Sequence, residues 1–227
     1  MACAWALASE GVHVTLVARR ADALQVVAER IAEATGKRPA FVVADISTAQ
    51  GRAAVQASNT ETDILVTNAG GPPTKDFTDL THEDWERAID TNFLSAVEMI
   101  RIFAAGMRAR RFGRIVNITS ATVRMPVERL DLSTSTRLAL TGYVAGVARQ
   151  IAKDGVTINN LLPGTVMTER LVELGATADA LIARVPAGRA GKPEEFGAAC
   201  AFLCSKQAAF ITGQNLLVDG GLCTLTI

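Results

Sequence analysis

Small and polar residues follow each apolar run of this 227-residue chain, at the position where a strand would end. Arg19-Arg20 come after the run VHVTLVA, and Asp45 comes after AFVVA. The same position is taken later in the chain by Asn68-Ala69-Gly70 after ILVT, Ser120 after RIVNIT, and Pro163-Gly164 after TINNLL. In doubly wound sheets a dinucleotide lies across the carboxyl ends of the strands. The spacing therefore predicts that these residues line one crevice around an extended nucleotide.

Arg19 and Arg20 could bind a phosphate group, because guanidinium groups are permanently charged and can hydrogen-bond phosphate in bidentate fashion. A carboxylate at this strand end would instead bind ribose hydroxyls and repel a 2′-phosphate. We therefore predict NADP(H) rather than NAD(H) as the cofactor. The alternative is that both arginines are simply solvated in a loop.

The elements that would position these residues alternate between strands and helices. Apolar, β-branched runs predict buried strands, and these runs are Val12–Ala18, Ala40–Ala44, Ile64–Thr67, Arg114–Thr119, Val156–Leu162 and Leu216–Val218. Apolar residues at three- and four-residue steps predict helices, and these cover Ala21–Thr35, Glu83–Arg110, Ser133–Lys153 and Pro193–Cys204. The alternation predicts an α/β fold, a doubly wound Rossmann-type parallel sheet with helices on both faces.

The composition narrows the range of partners. The chain has 23 basic and 23 acidic side chains and no basic run, which argues against nucleic acid and membrane surfaces as partners and favours a small molecule. No stretch reaches the roughly 18–20 apolar residues of a membrane span. The four cysteines form no metal-binding or disulfide pattern, so we expect no metal, a reducing and cytoplasmic location, and buried apolar thiols at Cys200 and Cys204. One domain over residues 1–227 is expected, since no linker or repeat divides the chain.

The segment Met1 to Gly11 has the pattern of a helix that ends just before a strand. In a dinucleotide-binding sheet, such a helix follows a first strand and a glycine-rich turn that holds the pyrophosphate. Neither of these elements precedes the helix in this sequence. We therefore expect that the first strand and the phosphate-binding loop are missing from the chain, and that roughly 15 to 25 residues belong upstream.

Taken in order, the motifs resemble those of the classical short-chain dehydrogenase/reductase family from Met1 to the end of the chain. The resemblance is carried by Asp45, Asn68-Ala69-Gly70, Asn92, Ser120, Pro163-Gly164 and Asp219-Gly220-Gly221. One such motif alone is weak evidence, whereas the ordered set is specific. The resemblance implies hydride transfer between a nicotinamide and a small carbonyl or secondary alcohol, as in 3-oxoacyl reductases, and assembly into a homodimer or homotetramer.

The resemblance also implies where the cofactor would bind. Asp45 would accept a hydrogen bond from the adenine amino group, and Ile46 belongs to the same cofactor site. Asn68, Ala69 and Gly70 would let the main chain approach the cofactor closely. The segment that would wrap the nicotinamide end supplies Pro163, Gly164, Thr165, Val166 and Thr168, with Thr168 bonding the carboxamide or a phosphate.

The catalytic positions that the resemblance implies are only partly filled. In the family a serine orients the carbonyl, a tyrosine passes the proton, a lysine four residues later lowers the tyrosine pKa, and an asparagine holds a relay water. Ser120 and Asn92 occupy the serine and asparagine positions, but Ser133 stands at the tyrosine position and Arg137 at the lysine position. The only tyrosine, Tyr143, lies about 15 Å further along the same helix and cannot substitute.

The replaced pair predicts that binding survives where catalysis weakens. A serine hydroxyl is a far weaker acid than tyrosine, whose pKa is about 10. Arg137 could still bind ribose hydroxyls, but arginine does not deprotonate in proteins and cannot relay a proton. Two functions stay open: a slowed NADP(H)-dependent oxidoreductase, or a dinucleotide-binding sensor or assembly subunit without catalysis. The segment from Leu171 to Arg189 is expected to be a loop over an apolar substrate site.

Overall fold

The strands of the protein run parallel and alternate with helices along the chain. The computed structural model describes residues 1–173 and 175–224. Its strands are β1 Thr15–Ala18, β2 Ala40–Val43, β3 Ile64–Asn68, β4 Gly113–Ile118, β5 Val156–Pro163 and β6 Asn215–Val218. Every strand that the sequence predicts is therefore confirmed, although β1 begins three residues later than expected.

The helices of the described residues lie between these strands. They are α1 Ala2–Ser9, α2 Ala21–Thr35, α3 Ala49–Ser58, α4 His82–Ile89, α5 Ser95–Arg110, α6 Asp131–Ile151, α7 Glu169–Glu173, α8 Ala176–Ala183 and α9 Pro193–Cys204. Helix α2 ends at Gly36, whose φ of 71° is a left-handed conformation that suits glycine. Helix α3 was not predicted from the sequence; it is capped by the side chain of Thr48, which accepts a hydrogen bond from the Gly51 N–H.

Two sequence predictions about helices are wrong. The expected continuous helix from Glu83 to Arg110 is interrupted, because a π-helical turn at Asp90–Leu94 separates α4 from α5. A single π turn inside a helix changes the direction of the side chains that follow it, which a regular apolar spacing does not reveal. The expected loop from Leu171 to Arg189 instead contains the end of α7 and all of α8, and residue 174 lies outside the described part.

The strands form two sheets rather than the single sheet that the sequence predicts. β1 pairs with β2 in a two-stranded sheet, and the second sheet has the order β3-β4-β5-β6. Val14, just before β1, and Val66 of β3 pack against the same apolar cluster, so the edges of the two sheets lie near each other. Among the described strands, β1 has no ladder partner on its β3 side and β3 has none on its β1 side.

Helices cover both faces of the sheets. On one face, α3, α5 and α6 enclose the largest apolar cluster, which includes Leu65, Ile115 and Ile158 of the strands. On the other face, α1 and α9 enclose a second cluster, and α1 also packs with α2 over β1. Cys200 and Cys204 are buried in the second cluster, which confirms their prediction as buried thiols. None of the described helices has both the length and the apolar composition of a membrane span.

Candidate functional site

The residues that follow β1 and β2 form a charged rim at the carboxyl ends of these strands. Asp45 accepts hydrogen bonds through Oδ1 from the hydroxyl of Ser47 at 2.6 Å and from its main-chain N–H at 2.9 Å. These two bonds, with a smaller contribution from the charge of Arg19, lower the pKa of Asp45. Asp45 is therefore held as a carboxylate, and its second oxygen has no hydrogen bond from a described residue.

Arg20 already has a carboxylate partner on α2. Its Nη2 lies 2.6 Å from Oδ2 of Asp22, and its Nε lies 3.2 Å from Oδ1, so the pair is bidentate. Both side chains are exposed, and the bond lowers the pKa of Asp22. Arg19 is also exposed, but it forms no hydrogen bond or ion pair of this kind with a described carboxylate.

A narrow cavity joins the ends of β2, β3 and β4. It is lined by Ile46, Thr67, Asn68, Ala69, Asn92, Ser95, Ala96, Ile118, Arg137 and Leu140. The cavity thus brings together five of the residues that the sequence analysis assigned to the site. Thr67 and Ser95 also line it and were missed, because a hydroxyl residue in an apolar strand or helix has no distinctive spacing.

Asn92 lies in the π-helical turn between α4 and α5 and is 3% exposed. Its Nδ2 donates a hydrogen bond of 2.9 Å to the carbonyl oxygen of Gly70, just after β3. Its Oδ1 is buried and has no hydrogen-bond partner among the described residues. A buried polar atom without a partner is rare and marks a place where a ligand or water can bind.

Ser133 and Arg137 form a buried pair one turn apart on α6. The Arg137 Nε donates to Ser133 Oγ at 3.2 Å. The remaining nitrogens of Arg137 donate to main-chain oxygens, Nη1 to Ile118 at 3.0 Å and Nη2 to Ala69 at 3.1 Å. The guanidinium therefore ties α6 to the ends of β3 and β4, in addition to lining the cavity.

Ser120 follows β4 directly and begins a short 3₁₀ turn. Its Oγ accepts hydrogen bonds from the main-chain N–H of Thr122 at 3.2 Å and from the Thr122 hydroxyl at 3.0 Å. Because both bonds use the oxygen as acceptor, the Ser120 hydroxyl proton is left to donate to another group. Ser120 does not line the narrow cavity.

The segment after β5 is held in place by main-chain bonds. The Gly164 N–H donates to the Val218 carbonyl of β6 at 3.1 Å, and a side chain at Gly164 would collide with Asp219. Thr165 accepts from the Gly191 N–H at 2.9 Å, and Val166 forms a bridge with Gly191. Thr168 caps α7, accepting from the Leu171 N–H at 3.4 Å. Because β3 and β5 run parallel in the same sheet, Pro163 at the carboxyl end of β5 lies at the same end of the sheet as Asn68 at the carboxyl end of β3.

Tyr143 does not line the narrow cavity. Its ring makes an edge-on contact with Phe93, with 6.4 Å between the ring centroids. Burial raises the pKa of Tyr143, so its hydroxyl is a weaker acid than an exposed tyrosine.

Comparison with known proteins gives a consistent result. The sequence model of a family described as enoyl-(acyl carrier protein) reductase matches residues 1–223. A 3-oxoacyl-[acyl-carrier-protein] reductase of Vibrio cholerae is 35% identical over 161 residues, which are 70% of this chain and 66% of that protein. Its counterpart in Escherichia coli is 32% identical over 223 residues, covering 97% of this chain and 91% of that protein.

The fold has close solved counterparts. The structure of L-sorbose reductase from Gluconobacter frateurii, complexed with NADPH and L-sorbose, superimposes with a TM-score of 0.92. The two chains are 29% identical, and the likeness covers 99% of this chain and 92% of the reductase.

Proposed function

Since the chain belongs to the classical short-chain dehydrogenase/reductase family, we propose that it is an NADP(H)-dependent oxidoreductase. Its reaction would move a hydride between the nicotinamide and a small carbonyl compound or secondary alcohol. The observation that carries the proposal is the cavity at the strand ends, where Asn68, Asn92 and Arg137 meet. Similar proteins include 3-oxoacyl reductases and an L-sorbose reductase, which supports a carbonyl substrate of small size.

The residues at the carboxyl ends of the strands fit a dinucleotide. The buried Asn92 Oδ1 needs a hydrogen-bond donor, and a Cβ placed on Gly70 would meet no atom within 4 Å, which leaves the main chain there open to a ligand. Asp45 would accept from the adenine amino group through its second carboxylate oxygen. Ile46, Ala69 and the segment Pro163–Thr168 would enclose the rest of the cofactor.

The preference for NADP(H) is supported by the arginines after β1. Arg19 is exposed and has no bidentate carboxylate partner among the described residues, so a 2′-phosphate could bind it without displacing one. Arg20 would contribute after exchanging Asp22 for the phosphate. The similar L-sorbose reductase is complexed with NADPH.

The protein's own side chains would handle the carbonyl and the proton. A bound nicotinamide would supply or accept the hydride. Ser120 would donate a hydrogen bond from its hydroxyl to the substrate oxygen, keeping its proton, and so polarise the carbonyl. The proton would come from water or from Ser133, whose Oγ accepts from Arg137 and can therefore donate elsewhere. Because serine is a weak acid, turnover would be slower than with tyrosine by roughly 10²- to 10⁴-fold.

A second function is favoured by the arrangement of Arg137. Three of its nitrogens already donate to Ser133, Ile118 and Ala69, so the side chain links α6 to the ends of β3 and β4. Because the guanidinium stays permanently charged, it cannot relay protons. Under this alternative the protein binds a dinucleotide as a sensor or assembly subunit and does not catalyse.

Two measurements on the same protein separate these functions. Fluorescence titration with NADPH measures binding, and stopped-flow absorbance at the NADPH band measures oxidation by a panel of small ketones and β-keto thioesters. Turnover with any of them supports the oxidoreductase. Tight binding without turnover supports the sensor or subunit, and no binding of NADPH or NADH contradicts both.

We further propose that the neighbouring edges of β1 and β3 accept a parallel strand followed by the glycine-rich, phosphate-binding turn. Both edges lack ladder partners on that side among the described strands, and unpaired main-chain groups near an apolar cluster are unfavourable. A version of the protein that carries such a strand and turn fused before α1 should resist urea better and bind NADPH more tightly. An extended version that is no more stable and binds NADPH no more tightly would contradict this proposal.

The remaining proposals concern organisation. We propose that residues 1–227 act as one domain and that the protein assembles as a homodimer or homotetramer. Apolar side chains exposed on α6, α9 and β6 would be covered in such an assembly: Leu138, Phe202 and Leu216 are 52%, 46% and 39% exposed. Light scattering coupled to size-exclusion chromatography measures the assembly directly, and a monomer mass would contradict it.

A further inference from the structure

Four polar side chains form one row across the larger sheet. In the strand register Thr67 of β3 lies opposite Asn117 of β4, Asn117 lies opposite Asn160 of β5, and Asn160 lies opposite Asn215 of β6. Paired residues of neighbouring strands point to the same face of a sheet. Thr67, Asn117 and Asn160 are 6%, 0% and 0% exposed, so these three members lie in the protein interior, whereas Asn215 at the end of the row is exposed.

The two ends of this row are hydrogen-bonded in the same direction. The Thr67 hydroxyl donates to Asn117 Oδ1 at 2.7 Å. At the other end, Asn160 Nδ2 donates to Asn215 Oδ1, also at 2.7 Å. Each donor lies on the earlier strand and each acceptor on the next one towards β6.

The middle of the row contains a donor and an acceptor that both lack partners. Asn117 Nδ2 and Asn160 Oδ1 are buried and have no hydrogen bond among the described residues. They belong to directly opposite residues on strands that lie about 4.8 Å apart. A small side-chain rotation would satisfy both atoms at once, whereas leaving both unpaired in the interior is unfavourable.

We propose that Asn117 Nδ2 donates to Asn160 Oδ1, so that Thr67, Asn117, Asn160 and Asn215 form one continuous amide ladder that positions the loops of the candidate site. The positioning part rests on the proposed function, and the ladder itself does not. Each of the three buried members lies three residues before a residue of the candidate site: Gly70 for Thr67, Ser120 for Asn117 and Pro163, the last residue of β5, for Asn160.

The ladder would set the register between neighbouring strands, which the apolar core alone does not determine. Two residues earlier on the same strands, and on the same face, lie Leu65, Ile115 and Ile158, whose apolar contacts tolerate small shifts between strands. An amide chain has one satisfied register, because any shift leaves buried donors and acceptors unpaired. Thr67 also lines the cavity with Asn92 and Arg137, so the ladder ends at the candidate site.

The ladder can be tested first in the unaltered protein. Nuclear magnetic resonance measures how fast the side-chain amide protons of each asparagine exchange with solvent. We expect the Asn117 protons to exchange at least about 100-fold more slowly than those of an exposed asparagine, as buried hydrogen-bonded amides do. Exchange of Asn117 as fast as that of the exposed Asn68 would overturn the ladder, whether or not any variant folds.

A double-mutant cycle then tests the proposed hydrogen bond between Asn117 and Asn160. Asn117→Leu and Asn160→Leu should each lower the folding equilibrium constant roughly 10- to 100-fold, because each leaves a buried partner unsatisfied. The double variant should lose clearly less than the product of the two losses. Asn159→Leu is the matched control, because Asn159 is equally buried but bonds Ile211 and Gln214 outside the row. Combined with Asn117→Leu, it should lower the folding equilibrium constant by the full product of the two separate losses. Independent losses for Asn117 and Asn160 would overturn the ladder.

The positioning part has its own readout. In Asn117→Leu we expect the main-chain resonances of Asn68 to Gly70 and of Ser120 to shift and the NADPH dissociation constant to rise about tenfold, while Asn159→Leu leaves both nearly unchanged. Unshifted loop resonances would overturn the positioning role. Absence of NADPH binding in the unaltered protein would contradict the proposed function, and the exchange rates, the cycle and the loop resonances would still decide the ladder.

Discussion

Arg137 donates a hydrogen bond of 3.2 Å to Ser133 through its Nε, so these two residues of α6 act as one buried unit. We propose that they stand at the positions at which the family carries its lysine and tyrosine. The serine oxygen accepts from a permanent cation, which favours negative charge on that oxygen but does not make an alkyl hydroxyl as acidic as a phenol.

Restoring the tyrosine and lysine together should raise turnover. We expect Ser133→Tyr with Arg137→Lys to increase kcat for NADPH oxidation by roughly 10²- to 10⁴-fold, the usual contribution of general acid catalysis. Steady-state kinetics with the best carbonyl of the panel measure the change, and Arg137→Lys alone is the control. An unchanged kcat in a folded double variant that binds NADPH would contradict the assigned positions.

Arg137 should also contribute strongly to stability. Replacing it by methionine leaves the carbonyl oxygens of Ile118 and Ala69 without this donor in a buried site. Because hydrogen bonds to charged groups contribute about 1.5–3 kcal/mol each, we expect the free energy of unfolding to fall by about 3 kcal/mol or more. Urea unfolding measures the loss. Arg149→Met, at the exposed end of the same helix, is the control and should change stability little.

The sequence was sufficient to predict the order of strands and most helices, because apolar runs bounded by Gly36, Gly113 and Pro193 reveal these elements directly. The family resemblance also implied a site position for Asn92, which lines the narrow cavity. The sequence could not reveal how Asn92 reaches Gly70, since the π-helical turn that directs this side chain leaves the apolar spacing of the helix almost regular.

Contacts between distant elements were harder to predict. The row from Thr67 to Asn215 depends on the pairing register of β3 to β6, and a single sequence does not specify register. Likewise the spacing of Ser133 and Arg137 places them on one face of a helix, but the carbonyl oxygens that Arg137 contacts belong to two other elements. The division into two sheets follows from missing pairings, which no local pattern encodes.

Asp22 should weaken the binding of a 2′-phosphate. Its carboxylate holds the Arg20 guanidinium in a bidentate bond and adds negative charge beside the proposed phosphate site. Removing that charge by Asp22→Asn should tighten NADPH binding about 2- to 5-fold, the effect of one exposed ion pair, with little change for NADH. Fluorescence titration measures both affinities. Glu33→Gln, an equal charge change elsewhere on α2, is the control, and equal effects of the two variants would contradict a specific role for Asp22.

Gly51 is required by the close packing of α3 on the loop after β2. A Cβ at this position would overlap the main-chain carbonyl of Asp45. We expect Gly51→Ala to destabilise the fold by about 1–3 kcal/mol, as overpacking does, and to weaken NADPH binding by moving Asp45. Gly146→Ala is the matched control, because a Cβ there meets no atom within 4 Å, and it should stabilise α6 slightly. Equal thermal midpoints for the two variants would show that the overlap is relieved without cost.

Acid stability should depend on Asp84 at the start of α4. Its carboxylate is almost fully buried and accepts from Lys75 Nζ at 2.6 Å, from the Thr81 N–H at 3.2 Å and from Arg87 Nη2 at 2.8 Å. The Lys75 bond is the largest cause, and together these bonds hold the pKa of Asp84 far below its usual 3.8. A carboxylate with a depressed pKa in the folded state stabilises the protein above the unfolded pKa and loses that contribution as the pH falls through the folded one.

We therefore expect the free energy of unfolding to decline below about pH 5, as Asp84 in the unfolded chain begins to take up a proton that the folded state excludes. Asp84→Asn should be less stable than the unaltered protein at pH 7, and its decline in acid should be shallower. Lys75→Met keeps the Asp84 carboxylate but removes its main partner, which raises the pKa of Asp84 in the folded state. The contribution of Asp84 to stability should therefore be lost at a higher pH than in the unaltered protein. Urea unfolding from pH 3 to 7 gives all three curves. Parallel curves for Asp84→Asn and the unaltered protein would exclude Asp84 as a source of the acid sensitivity.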